Sequence, residues 1–304
     1  MLIRLAGALV TAAAVAVLVF LFIHLVPGDP VEAMLGEAAA PADRAELRRA
    51  LGLDLPLPQQ ALDHFGALLR GDLGSSLYDQ QPVAMLLAQR LPYTLLLAAA
   101  ALAIAIAAGV PLGVLAALRR GSVVDTVATG LASLGIALPN FWLGPMLILV
   151  FAVALKWLPV SGADSWRSLI LPALTLGVSL AAAIARMVRT ATLEVLPELF
   201  VTAARARGLS GAAVLRRHIL PVAALPVVTV IGLQLGSLLA GAVITEVVFS
   251  WPGLGELTVT AIKRRDYPVV QGAVLLIACL YIAVNALTDL LYARLDPRIT
   301  GSGR

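Results

Sequence analysis

Between Tyr93 and Leu118 the chain reads YTLLLAAAALAIAIAAGVPLGVLAAL, without one charged side chain. Such a run suits hydrocarbon rather than water: a bilayer core about 30 Å thick needs roughly 20 apolar residues in a helix, with every backbone polar group bonded inside the segment. Five further stretches meet the same demand, giving expected spans at about 5–26, 93–118, 127–157, 169–189, 219–244 and 269–292. With 60% hydrophobic and only 13% charged residues, and a mean hydropathy of +0.95, a soluble globular domain is excluded. The expected fold is all-α and integral to the membrane.

The first run has the outline of a secretory signal peptide, with Arg4 ahead of Leu5 to Val26. It exceeds the roughly 7–15 residues of a signal h-region. The one small-residue site, Ala38-Ala39-Ala40, lies beyond it and precedes Pro41, so an uncleaved transmembrane helix is expected. A single cysteine, Cys279, excludes a disulfide framework and a cysteine-based metal site; in its apolar run it is expected to be a small buried hydrophobe.

Arginine placement orients the spans. Arg119 and Arg120 follow the second; Arg186, Arg189, Arg205, Arg207, Arg216 and Arg217 lie between the fourth and fifth; Arg294 and Arg298 follow the sixth. These loops share one side with Arg4, and the positive-inside rule makes that side, with both termini, cytoplasmic. One cluster dissents: Lys263-Arg264-Arg265, on the opposite side. The net charge of +4 bears on this orientation and suggests no nucleic-acid partner.

The chain therefore divides into an N-terminal helix (1–26), an extracytoplasmic segment (27–91), a five-helix core (92–292) and a tail (293–304). The extracytoplasmic segment has acidic residues from Asp29 to Asp79, an amphipathic stretch around Asp43 to Leu51, and turn signals at Pro56, Pro58 and Gly71. Opposite the cytoplasm, Glu246 to Pro268 contains FSWPGLGEL, whose aromatic, proline and glycine residues suit a re-entrant or interfacial hairpin, or a plain loop capped by aromatics. Helix-disturbing residues inside the spans, Gly109, Pro111 and Gly113, Pro139 and Pro145, Pro221 and Pro226, mark either cavity-lining breaks or kinks made for packing.

The most informative polar stretch is the loop at about 190–218, containing TAARARGLSGAAVLRRHILP from Thr202 to Pro221. Gly208 is expected to end one short helix and Ser210 to cap the next, since its hydroxyl can accept a free backbone N–H. Small residues (Ala203, Ala204, Ala206, Ala212, Ala213) alternate with arginines (Arg205, Arg207, Arg216, Arg217). Small side chains let a partner approach the backbone, and arginines pair with carboxylates or anionic headgroups. A DNA-reading helix-turn-helix shares this outline, but a segment tied to the bilayer at both ends fits no groove. A plain basic loop and a docking element for a cytoplasmic protein remain.

This loop resembles the EAA signature of bacterial ATP-binding cassette (ABC) importer permeases: Glu-Ala-Ala, three residues, Gly, nine residues, Ile, one residue, Leu-Pro. Ala203, Ala204, Gly208, Leu220 and Pro221 match, while Thr202 stands at the glutamate and His218 at the isoleucine. No family salt bridge is therefore carried over to position 202. A narrower likeness, to the dipeptide, oligopeptide and nickel import permeases, runs through HLVPGDP, LGLDLPLPQQ, LLRGDLGSSL, QRLPYTLLLA, PNFWLG, ILPALTLG, TAARARGL, VFSWPGLGELTV, RRDYPVVQG and DLLYARLDPRI in order.

The resemblance implies a type I importer permease of the bacterial inner membrane. It would form half of a pore with a second permease subunit, stand on two cytoplasmic ATPase subunits that bind ATP and magnesium, and receive cargo from an extracytoplasmic solute-binding protein. Residues Thr202, Ala203, Ala204, Arg205, Arg207, Gly208, Leu220 and Pro221 would form the ATPase-coupling loop. The chain lacks the pattern G-x-x-x-x-G-K-[ST], so it is expected to bind no cofactor of its own and to be no enzyme. Short peptides are the expected cargo, with glutathione and nickel as alternatives.

Asn140 and Gln234 are polar groups within apolar stretches, and read either as pore-lining or as interhelical hydrogen bonds. Glu246, Trp251, Pro252 and Gly253 are assigned by the family likeness to an extracytoplasmic gate. His24, His64 and His218 lie in separate segments without ligand spacing, so no metal site is expected. An ion-driven secondary transporter would place charges inside its spans, whereas Asp125, Lys156, Arg186 and Asp289 fall near span ends.

Overall fold

A computed structural model describes residues 2–25, 31, 40–50 and 54–295. They are mainly helical and form no named strand, only an isolated antiparallel bridge between Ser75 and Pro82. The helices are α1 (Leu2–Leu25), α2 (Pro41–Ala50), α3 (Leu57–Leu69), α4 (Val83–Leu118), α5 (Val123–Ala137), α6 (Asn140–Leu147), α7 (Ile170–Val195), α8 (Leu199–Ala206), α9 (Gly211–Val214), α10 (Leu220–Val248), α11 (Leu254–Arg264) and α12 (Tyr267–Leu295). A π-helical segment, Ile148–Ala154, continues α6; a second, Leu215–Ile219, joins α9 to α10; a 3-10 turn, Trp166–Leu169, leads into α7.

Among the described residues, four helical stretches are long and apolar enough to cross a membrane: Val83–Leu118, Trp166–Val195, Gly211–Gly236 and Tyr267–Thr288. A fifth exists if α5 and α6 count as one broken span, for they meet at 104°. Here the expectation of one helix over about 127–157 is corrected. Pro139 has no N–H to donate and disfavours helical geometry at Leu138, which is extended at ψ 118°, so the chain stops and restarts. In α1 the apolar stretch that qualifies by composition is shorter, Val10–Leu21.

Two compact units divide the chain. The first comprises Met1–Pro92 and Gly253–Ile282. Its core joins Val83, Leu86 and Leu87 from the start of α4, Leu254, Leu257 and Ala261 of α11, and Val269, Val270 and Ala273 of α12. The expected hairpin around FSWPGLGEL is also corrected: after the turn the chain forms the helix α11, whose buried positions recur at helical spacing. Helix α4, from Val83 to Leu118, passes through position 92, where the two units divide.

The second unit comprises Tyr93–Pro252 and Ala283–Arg304, with α7 at its centre. Leu176, Leu180, Ile184 and Val188 of α7 pack with Leu97, Ala101 and Ala105 of α4 and Val227, Leu238 and Ala242 of α10. Gly109 and Gly113 decide how closely α4 approaches: a Cβ would stand 2.6 Å from Ala181 O at the first and 2.5 Å from Ala185 O at the second. Of the two readings of that glycine-proline segment, close packing holds, and α4 runs unbroken through Pro111. Cys279 is exposed on α12, contrary to expectation. A weakly polar thiol behaves as a small hydrophobe, so an apolar helix can carry it on an outer face as readily as in its core.

Candidate functional site

The loop after α7 is built from its own backbone outward. Glu198 precedes α8 in extended geometry (φ −63°, ψ 143°), and Gly208 ends it at φ +81°. Gly208 N donates to Arg205 O at 2.9 Å and Leu209 N to Ala204 O at 3.4 Å, the paired bonds of a Schellman C-cap. No atom lies within 4 Å of where a Gly208 Cβ would sit, so its requirement is the left-handed backbone alone. Ser210 Oγ then accepts from Ala213 N at 3.3 Å and caps α9, as its position implied.

Burial separates the two alanines of the signature. Ala204 is inside with Val201, against Ala191 and Val195 of α7 and Val214, Ile219 and Ala223 on the far side of the turn. Thr202, Ala203, Arg205, Arg207 and Gly208 are exposed. Leu199 is exposed too, at 85%, with Phe200 beside it. Helix α8 is thus anchored by two side chains to both neighbouring helices, while its outer face carries mixed apolar and cationic groups.

Leu220 and Pro221 start α10, the first half-buried and the second exposed. The π segment Leu215–Ile219 lies immediately before them, where the proline ring would crowd the carbonyl four residues back in a regular α-helix. His218 sits in this segment, and its Nδ1 is buried without a hydrogen-bond partner.

Asn140 and Gln234, far apart in sequence, line one pocket of about 120 Å³ with Leu176, Ser179, Leu180 and Leu238. The 104° break puts Asn140 at the first position of α6. Ser179 Oγ donates to Asn140 Oδ1 at 3.4 Å and lies 3.2 Å from Leu176 O. Ser179 was missed because a serine in an apolar helix usually satisfies itself on the preceding turn; only the pocket distinguishes it.

Of the residues assigned to a gate, Glu246 lies in the last turn of α10 rather than in a loop, since that helix continues to Val248. It is fully buried and accepts from Thr94 Oγ1 at 2.7 Å. Trp251 N donates to Glu246 O at 2.8 Å, and Trp251 Nε1 donates to Tyr93 O at 3.0 Å. The Tyr93 and Trp251 rings meet edge-on at 5.9 Å. Ser250 makes the turn at φ 47°, Pro252 is half-buried, and Gly253 caps α11 in extended geometry.

The first unit holds a cluster that sequence reasoning did not connect. Asp266 is 4% exposed; Ser76 Oγ donates to its Oδ2 and Leu77 N to its Oδ1, across about 190 positions of sequence. Ser76 Oγ in turn accepts from Asp79 N at 2.9 Å. Arg264, part of the dissenting basic cluster, stacks 4.2 Å from the Tyr78 ring centre and reaches Asp79 at 4.0 Å. The motifs LLRGDLGSSL and RRDYPVVQG thereby form one scaffold.

Among the described residues no group of three His, Cys, Asp or Glu side chains is arranged to hold a metal. His24 falls in α1, His64 in α3 and His218 in the π segment. Burial beside Phe20 and Phe65 pushes the His64 imidazole below the ordinary histidine value, favouring the neutral ring.

Residues 109–301 match the family described as binding-protein-dependent transport system inner membrane component, and residues 1–98 match the N-terminal family of the same transport membrane components. The dipeptide transport system permease protein DppB of Escherichia coli (strain K12) is 44% identical, over 97% of both chains. The di/tripeptide transport system permease protein DppB of Pseudomonas aeruginosa (strain UCBPP-PA14) is 46% identical over 94% of each. The glutathione transport system permease protein GsiC of Pectobacterium atrosepticum is 43% identical over 97% of each. In fold, the inward-facing MetNI methionine ABC transporter shares 70% of this chain and 97% of its own at a TM-score of 0.59, with 23% identity.

Proposed function

The chain belongs to the family of binding-protein-dependent transport system inner membrane components, and from that premise we propose that it is the permease subunit of a short-peptide importer. It forms half of a transmembrane pore in a bacterial inner membrane, with a second permease subunit completing it. Two ATPase subunits bind ATP and magnesium below, and a solute-binding protein delivers cargo from outside. The chain is the transport component and not the ATPase. Six spans, with both termini cytoplasmic, accommodate α1 and the broken α5–α6 pair.

The observation that carries the reading is the α8 loop. Its inner side chains Val201 and Ala204 join one cluster with α7 and the start of α10, and its outer face leaves Thr202, Ala203, Arg205, Arg207 and Leu199 free to meet a partner. A rigid element fastened to two spanning helices transmits a push from a closing ATPase to both. Asn140, Ser179 and Gln234 line the cargo path with neutral donors and acceptors, which suits amide-bearing peptides. Glu246 and Trp251 hold the α10 end to the start of the adjoining α4 segment as a gate.

Glutathione is the second reading of the cargo, supported by relatives as similar as the dipeptide permeases. The test is purification of the tagged chain in mild detergent with whatever accompanies it, followed by uptake into proteoliposomes. ATP-dependent uptake of dipeptides with a second permease, ATPases and a binding protein is expected. A chain that purifies alone and drives uptake on an ion gradient refutes the importer reading. Unchanged import in Glu246→Gly and Trp251→Ala refutes the gate.

A further inference from the structure

Asp125 stands in the first turn of α5, behind the capping Ser122. It is only 6% exposed, and both of its carboxylate oxygens are engaged. Arg189 of α7 donates Nε to Oδ1 at 2.6 Å and Nη2 to Oδ2 at 2.9 Å, a two-pronged fork. Gly121 N adds a bond to Oδ2 at 3.0 Å, and Thr129 Oγ1 reaches Oδ1 at 3.4 Å.

The helix surface crossed by this fork is otherwise smooth. Ala132 of α5 meets Ala182 and Ala185 of α7 in a small cluster, and a Cβ on Gly135 would come within 2.9 Å of Ala182 Cβ. Alanine and glycine let the helices approach closely but offer no long side chains to interlock, and lipid supplies no hydrophobic drive to hold one register. Among the described residues, the other side-chain tie between α5 and α7 is Arg186 to Ser133 at 3.4 Å, on the exposed side. Asp125 is the sheltered partner, its side chain 8% exposed against 29% for Arg189, and fixing register is the best-attested use of such a polar pair.

Its place along the helices gives that register a purpose. Just beyond Arg189, Ala191 and Val195 form the surface on which α8 packs. At its other end α5 runs into the 104° break, after which Asn140 enters the amide-lined pocket. We propose that Asp125 and Arg189 are positioning residues for energy coupling: their fork makes α5 follow α7 when the α8 loop is pushed, so that movement reaches the pocket at Asn140. This rests on the reading of the chain as an ATP-coupled permease.

The test uses the complete transporter in proteoliposomes, with dipeptide imported and ATP hydrolysed measured together. Asp125→Asn removes the charge while keeping the shape, and should lower import per ATP by about tenfold, within the range of ordinary coupling free energies. Arg189→Lys keeps the charge without the fork and should fall between. Exchange of the two, D125R with R189D, should recover import relative to D125R alone. Wild-type import per ATP in both Asp125→Asn and Arg189→Lys overturns the proposal. So does a loss of import matched in proportion by loss of assembled complex and of ATP hydrolysis, which would mark a purely structural pair. Wild-type uptake that needs no ATP would remove the permease reading itself, and the proposal with it.

Discussion

Two short helices in this chain end in the same way and do opposite things. Helix α8 stops at Gly208 (φ +81°) and α11 at Arg265 (φ +56°), each by a left-handed residue flanked by backward-pointing backbone bonds. Each end carries a basic cluster, RAR just before Gly208 and KRR ending on Arg265 itself. After Gly208 the polar groups stay outside, with Arg205 and Arg207 exposed and open space around the turn. After Arg265 the chain turns inward: Asp266 is buried on Ser76, and Arg264 is occupied by Tyr78 and Asp79. A basic cluster is therefore no sign of docking until its local partners are counted.

The largest expected effect on partner binding comes from Gly208→Val. A β-branched residue resists left-handed geometry by about 1–2 kcal/mol or more. Co-purifying ATPase should fall by about tenfold, the equivalent of 1.4 kcal/mol in binding, while far-UV circular dichroism keeps its helical signal. Wild-type recovery of the ATPase with this variant would erase the distinction between the two turns.

Next is Asp266→Ala, which strands the buried Ser76 hydroxyl and Leu77 N–H. It should lower unfolding stability by about 2–3 kcal/mol, read as a drop in the detergent melting temperature, yet leave ATPase capture intact in the protein that remains folded. If capture is lost at temperatures where the variant is fully folded, the first unit is no mere scaffold.

A matched pair probes the backbone device alone. Gly208→Ala should destabilise by about 1 kcal/mol and Arg265→Gly should stabilise by a similar amount, so their melting temperatures should move in opposite directions. Movement in the same direction would show that the two turns are not equivalent. Smallest is Arg264→Gln: an exposed cation–π contact with a 4.0 Å ion pair is worth less than about 1 kcal/mol. A larger loss of stability would raise that cluster from decoration to support.

Features set by local chemistry were readable. Gly208 and Ser210 announced a helix, a turn and a capped helix, because capping depends on residues a few positions apart. The apolar runs around 93–118, 169–189, 219–244 and 269–292 announced helices, because hydrocarbon demands length and lack of charge. Features that depend on distant partners were not readable. Pro139 ends α5 whereas α4 runs unbroken through Pro111, so a proline in an apolar run did not by itself distinguish a break from a passage. Glu246 looked like a loop residue until α10 extended to Val248 and Thr94 supplied its hydrogen bond. Ser179 became notable only beside Asn140 and Gln234.

By itself, the sequence determined an all-helical membrane chain and the cap, turn and cap of the loop carrying its family signature, since hydropathy and backbone preference act over one or two turns of chain. Tertiary structure alone decided that Ala204 packs inward while Ala203 faces out, that Asp125 grips Arg189, and that Ser76 meets Asp266. The first is apolar burial against the helices on either side of the loop; the other two are pairings between segments far apart in the chain, where the cost of leaving a polar group unbonded in an apolar interior selects the partner that geometry brings within reach.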